Sequence, residues 1–349
     1  MMNNSLQRGQ SENVYIIIVN WNGWKDTIEC LESVFRNDYP SYQVVVCDNG
    51  SQDGSLDKIK AWAAGDLKND VPRENPLYSL SNPPVAKPVF FEEYTRSEAE
   101  SRVKRSTNAR LILIRIPSNL GFSGGNNVGL RYALSQDDFS YAWLLNNDVV
   151  IKPDALTHLV QRMRDKKDAG MCGSTMPYYS QPETIWALGG GKYNKWTARS
   201  CNIGHLQPAQ KTISREEVEA SLDYLAGASM LVSRAFLHEI GLLSEDYFLF
   251  YEEPDWALRG KGKYALAYAP ESIVYHKVGA STTLLDKDTD HRKAFVSHAM
   301  KSHIRFTLKF FPFFLPSVLA RRGVQVLFLK LRELASRTML AFTPRTRRR

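Results

Sequence analysis

Apolar residues run unbroken at Val14–Val19, Val44–Cys47, Leu111–Ile116 and Ala142–Leu145, with amphipathic stretches between them. Short continuous apolar runs of this kind predict strands buried on both faces. The intervening spacing predicts helices over Thr27–Phe35 and Ser55–Ala63. After a Gly/Asn loop it predicts another near Asn127–Leu134. Strands interleaved with helices imply an α/β fold, with a mostly parallel sheet covered by helices on both faces. Farther along, the pattern predicts a helix over Asp154–Lys166 and short strands around Gly170–Ser174 and Ala228–Ser233. A Gly-rich stretch, Gly189-Gly190-Gly191, lies between those strands, and Tyr247–Arg259 and Ala265–His276 complete the folded part.

Two regions break the pattern. Residues 64–110 carry five prolines and closely mixed charges, which predicts a surface insertion, partly disordered or acting as a lid. Residues 1–12 are polar and predict a flexible N-terminus without the apolar core of a signal peptide. The expected organisation is therefore one domain over 13–300 followed by a tail over 301–349.

Charge sharpens the picture of that tail. The chain has a net charge of +8, but residues 301–349 hold twelve Lys/Arg and one acid, Glu333. The remainder is slightly acidic, so the basic balance belongs to the tail alone. A helix over about Val324–Phe342 would place Leu327, Leu331 and Leu334 on one face, suiting peripheral docking on an anionic membrane. A basic helix packed on the main domain is the alternative. Nucleic acid is not expected as a partner, because no nucleic-acid-binding motif accompanies the charge. No apolar run reaches the roughly 18 residues of a membrane span. Cys30, Cys47, Cys172 and Cys201 form no CxxC pair, which argues against structural zinc and a disulfide scaffold and fits a cytoplasmic protein.

Candidate chemistry gathers where the strands end, since ligands of such sheets sit beyond the carboxyl ends of the strands. Asn20-Trp21-Asn22 follows the first strand and Asp48 the second. Asp48 can accept the ring N–H of a pyrimidine base, although a turn alone would also explain it. Asp53 and Ser55 can serve the ligand or cap the next helix. Gly121 to Asn127, with Gly124, Asn126 and Asn127, could let backbone N–H groups approach phosphate or ribose. This segment matches neither a Walker loop nor GxGxxG. Asn146-Asn147-Asp148 ends the fourth strand with a single carboxylate, one hard ligand for Mg²⁺ or Mn²⁺. Glu252, Glu253 and Asp255 lie among Phe248, Phe250, Tyr251 and Trp256. Carboxylates clustered near apolar surface raise one another's pKa, as a general base requires. His276, at the end of an apolar run, could add an imidazole to the metal.

The blocks VNWNG (19–23), DNGSQDGS (48–55), NLGFSGGNNVG (119–129), LLNNDV (144–149), GASMLVSR (227–234), FLFYEEPDWALR (248–259) and VYHKVGAS (274–281) occur in an order that resembles the family 2 glycosyltransferases. The resemblance covers about residues 13–310 and is strongest to the bacterial rhamnosyltransferase-like branch, which builds surface polysaccharides. It implies a GT-A fold, a nucleotide diphosphate sugar donor with dTDP-rhamnose favoured, a saccharide or lipid-linked acceptor, and inversion by a single displacement using a divalent cation. By the same resemblance Asp48 reads the base, Asp148 is the last acid of a DxD motif here written Asn-Asn-Asp, and His276 completes the metal's ligands. Glu253 stands where the family usually has an Asp base, with Glu252 and Asp255 as neighbours that could share the role. The nucleotide sugar is expected on Asn20, Trp21, Asn22, Asp48, Asp53, Gly124, Asn126, Asn127 and Asn147. A UDP-hexose donor and a non-catalytic nucleotide-sugar-binding protein are the alternatives. A nucleotidyltransferase is disfavoured, since Asn20-Trp21-Asn22-Gly23 replaces the Gly-rich basic loop expected after the first strand.

Overall fold

A computed structural model describes residues 12–101, 107–197, 199–211, 213–278 and 289–321, with only the backbone described over 289–295. In chain order the N-terminal elements are β1 (Val14–Asn20), α1 (Trp24–Val34), β2 (Tyr42–Asn49), α2 (Ser55–Ala64), α3 (Tyr78–Ser81), β3 (Phe91–Thr95), α4 (Arg96–Glu100), β4 (Leu111–Ile116), α5 (Gly121–Gln136) and β5 (Tyr141–Asn146). Next come β6 (Val149–Ile151), α6 (Ala155–Asp165), β7 (Ala169–Pro177), β8 (Ile185–Leu188), β9 (Gly190–Asn194), β10 (Arg199–Asn202) and α7 (Arg215–Ser221). The last are β11 (Tyr224–Leu225), β12 (Ser229–Ser233), α8 (Arg234–Ile240), α9 (Glu252–Gly260), β13 (Ala265–His276) and α10 (Thr289–Phe310).

One large mixed sheet organises these elements, in the order β10-β9-β8-β7-β12-β5-β1-β2-β4-β3. From β5 to β3 every pairing is parallel. Beyond β5 the sheet turns antiparallel through β12, apart from the parallel pairing of β13 with β7. Alternation along the strands explains why both faces are covered. Ile16, Ile18, Val44 and Val46 face one core with α1, α2 and α6. Ile17, Val45 and Cys47 face a second core with α5, α8 and α9. Burying each such aliphatic side chain contributes about 1.5–3 kcal/mol, enough to make the strand register unique.

Three sequence expectations change. Helix α5 begins at Gly121, so the expected Gly/Asn loop is its first two turns. A Cβ on Gly125 would meet Val19 at 2.8 Å and one on Gly129 would meet Ile17 at 2.5 Å, so these glycines let the helix lie flat on β1. The described residues of the 64–110 insertion are built into the fold. They supply edge strand β3, and Val85 N–H donates to buried Glu32 Oε2 at 2.7 Å. Finally, α10 crosses residue 300, and His303, Phe306 and Thr307 are buried beyond the expected boundary. The helix expected over 324–342 lies outside the described residues. Among the described residues no helix is long and apolar enough to cross a membrane.

Candidate active site

The sheet register brings the singled-out residues to one edge. Asn20 pairs with Asp48, and Val19 with Asn146, so β1, β2 and β5 end side by side. Asn20 is fully buried, and its amide donates to Asp48 Oδ1 at 2.8 Å and to Ser51 Oγ at 3.0 Å. Its carbonyl accepts from Thr27 Oγ1 at 2.8 Å, and Asn147 Nδ2 donates to the same hydroxyl at 3.1 Å. These bonds fix Asp48 and Asn147 before any ligand arrives. Asn22 takes a left-handed conformation, φ 49°, and ties its carbonyl to Gln52 N–H at 2.7 Å. Trp21 stands 41% exposed beside this network.

Beyond β5, Asp148 and His276 meet. Tyr275 pairs with Val150 and His276 with Val149 across β13 and β6, and His276 Nε2 lies 3.3 Å from Asp148 Oδ1. Both residues are buried. Burial opposes the Asp148 charge, but the field and hydrogen bond of His276, aided by Lys277, hold its carboxyl below the usual range. Asp148 Oδ1 and His276 Nδ1 are buried with no hydrogen-bond partner of good geometry. Trp186 packs its edge on the imidazole, with ring centroids 4.5 Å apart. Lys277 is held by Asp26 at 2.5 Å and Glu29 at 2.6 Å.

The acidic residues open α9 and meet the segment that leads into β12. Asn146 N–H donates to Ala228 O at 3.1 Å, which extends the pairing of β5 with β12 toward Gly227. The Glu253 carboxylate rests against Gly227, in the space that a Cβ there would occupy. Glu253 is half-buried, and burial pushes its pKa up to about 7 even though Gly227 N–H donates to it. Glu252 is buried with Oε2 unpartnered, and burial together with repulsion from Glu253 raises it well above the usual carboxylate range. Phe250 and Tyr251 precede them at φ 67° and 74°, two consecutive left-handed residues that aim the start of α9.

Other expected residues take supporting places. Asp255 is fully buried and accepts from Arg259 Nε at 2.7 Å, Lys309 Nζ at 2.6 Å and Tyr247 OH at 3.0 Å. A carboxylate so fully engaged is not free to take an acceptor proton, which leaves Glu253 and Glu252. Asp53 is exposed and accepts from Ser55 N–H at 3.0 Å, the local turn-forming role. Asn127 spans from α5 to Leu243 and Glu245. Asn126 bonds within α5 to Phe122 O, and Gly124 packs under Leu120. Sequence reasoning missed Asn49, which joins β2 to the start of α5 through Asn119, Leu120 and Gly121. It also missed Thr27, Ser51 and Gly227. Only the strand-end position of Asn49 and Gly227 could have flagged them.

Helices on both faces of a large, mostly parallel sheet give the α/β architecture of the GT-A glycosyltransferases. The model of Glycosyl transferase family 2 matches residues 15–74 and 92–222, and the chain belongs to that family. It is 24% identical over 143 residues to the low-salt glycan biosynthesis hexosyltransferase Agl10 of Haloferax volcanii, covering 41% of this chain and 44% of that protein. The chain thus matches less than half the length of this curated relative. Among solved structures it resembles GalNAc-T7 with UDP, GalNAc and Mn²⁺, at 14% identity over 77% of this chain and 44% of that one, TM-score 0.50. It also resembles the mannosyltransferase PcManGT of Pyrobaculum calidifontis in complex with GDP-Man and Mn²⁺, at 15% identity over 96% and 82%, TM-score 0.49. These likenesses concern the fold.

Proposed function

We propose that this glycosyltransferase moves one sugar from a nucleoside diphosphate donor to an acceptor hydroxyl with inversion at the anomeric carbon. The observation that carries the reading is Glu253, raised toward neutral pH and seated against Gly227, just ahead of the strand β12 that pairs with β5. In the reaction Glu253 takes the acceptor O–H proton, and the freed oxygen forms the bond to the anomeric carbon. The bond from that carbon to the phosphate oxygen breaks, and the diphosphate leaves with the electron pair. Asp48, pinned by Asn20, accepts the ring N–H of a uracil or thymine base.

Asp148 Oδ1 and His276 Nε2 fit a divalent cation, Mn²⁺ or Mg²⁺. They are close enough to share one ion, and the buried carboxylate oxygen faces that imidazole. Among the described residues no group of three or more such side chains is placed to hold a metal. When bound, the cation neutralises the charge that develops on the leaving group.

The motif resemblance favours dTDP-rhamnose as donor and a saccharide or lipid-linked acceptor in surface polysaccharide synthesis. A UDP-hexose donor is the second reading, favoured by the hexosyltransferase relative. Calorimetric titration with UDP and with dTDP, each with and without Mn²⁺, tests the proposal. Metal-dependent binding of one nucleotide is expected. No binding of either would overturn it.

A further inference from the structure

We infer that the tip of the β9–β10 hairpin and the segment after α10 form one surface that docks on an anionic lipid bilayer beside the active site. Trp196 is 63% exposed and Phe313 94% exposed, with Leu319 also exposed nearby. Such large apolar side chains standing in water mark an interaction surface. They belong to one unit, because Trp196 packs edge-on against Phe314 with centroids 4.5 Å apart. The two segments are further joined where Ser317 Oγ donates to Trp196 O at 3.0 Å and Arg321 Nη1 donates to Thr197 O at 2.6 Å.

Charge identifies the occupant. Residues 192–202 and 301–321 together hold seven Lys/Arg and no Asp/Glu, of which Arg305 and Lys309 pair with Asp246 and Asp255. Lys195 Nζ lies 5.2 Å from the Phe314 ring, an arrangement that puts cation and aromatic at one level. From Arg321 the chain continues into residues 322–349, which add eight Lys/Arg against one acid among apolar residues. Aromatic and aliphatic side chains with Lys195 and Arg321 beside them match a bilayer interface, whose headgroups are anionic and whose acyl boundary is apolar. A protein groove would demand complementary acidic and apolar side chains. A nucleic acid would leave Phe313 and Leu319 without a role.

The surface also leads to the base. Ring contacts run from Trp196 to Phe314, from Phe314 to Phe311 at 6.5 Å, from Phe311 to Tyr193 at 5.6 Å, and from Tyr193 to Tyr251 at 6.2 Å. Tyr251 directly precedes Glu252 and Glu253. A bilayer held at Trp196 and Phe313 presents lipid-linked hydroxyls to the side of the site where Glu253 sits. That purpose rests on the proposed transferase reading, whereas the docking itself does not.

The test is flotation of the full chain with vesicles of phosphatidylglycerol and phosphatidylcholine, against vesicles of phosphatidylcholine alone, for wild type and for Trp196→Ser with Phe313→Asp. Wild type is expected to float with the anionic vesicles and the double variant to lose roughly tenfold or more in partitioning, as two buried aromatics imply. Both side chains are exposed, so the variant keeps its thermal unfolding midpoint and its nucleotide binding. Equal flotation of the two forms would overturn the proposal, as would no flotation of wild type. So would light scattering that shows a wild-type dimer split by the substitutions, since a second copy would then cover the surface. Failure of flotation with nucleotide binding intact would leave the transferase reading standing.

Discussion

His276 Nε2 lies 3.3 Å from Asp148 Oδ1 because β13 and β6 run antiparallel and put the two residues at neighbouring positions. The contact joins a residue at the end of the central parallel sheet to one near the end of the described domain. In the proposed site this imidazole and carboxylate are the protein groups offered to a cation, while Lys277 is held nearby by Asp26 and Glu29.

The first prediction concerns this pair. Asp148→Asn should remove the metal dependence of nucleotide binding and weaken binding by roughly tenfold to a hundredfold, the scale on which metal-site substitutions act. His276→Ala should have a smaller effect in the same direction. Calorimetry with and without Mn²⁺ checks both. Unaltered metal-dependent binding in Asp148→Asn would remove Asp148 from the site.

Glu253 carries the second prediction. Its folded pKa, about 7, lies above the ordinary carboxylate value of 4.5. Between those values the folded chain keeps a proton that the unfolded chain releases, so stability falls as pH rises from about 4.5 to about 7. Glu253→Gln has no such proton and should melt higher than wild type at pH 8 by about 1–3 kcal/mol, the gap closing below pH 4.5. The same variant should bind nucleotide normally and lose turnover. In wild type the rate should climb as pH rises through about 7, as the base frees its proton. Melting curves that stay parallel from pH 4 to pH 8 would refute the raised carboxyl.

Much of this was legible in sequence. The β-branched runs of β1, β2 and β4 have no other good use than a two-faced buried sheet, and the strand ends located Asp48 and Asp148. Three features were hidden for physical reasons. Helix α5 looked like a loop because glycine has poor helix propensity, a penalty outweighed by close packing of Gly125 and Gly129 on β1. Strand β3, FEEYT, lies at the sheet edge with one partner, so it shows no buried apolar run inside its Pro-rich surroundings. Asp255 read as a possible base because sequence shows its acidic neighbours but not Lys309, which arrives from a helix 54 residues later.

That arrival supplies the third prediction. If residues 301–349 were only a tail, a chain ending at residue 300 would melt like the whole protein. Instead α10 holds the approach to α9: Tyr251 stacks on His303 with centroids 5.1 Å apart, and Ser302 Oγ donates to Leu249 O at 2.9 Å. Phe306 is fully buried, and Lys309 closes the ion pair on Asp255. Losing Phe306 alone should cost about 3–5 kcal/mol, so truncation at 300 should unfold much of the chain at room temperature. Lys309→Ala is the milder probe. Asp255 retains Arg259 and Tyr247, and Lys309 is 40% exposed, so the cost should be about 1 kcal/mol, with Lys309→Arg restoring most of it. Circular dichroism melts of the three variants decide the matter. A truncated chain with the wild-type midpoint would show that α10 contributes nothing to the domain that carries Glu253.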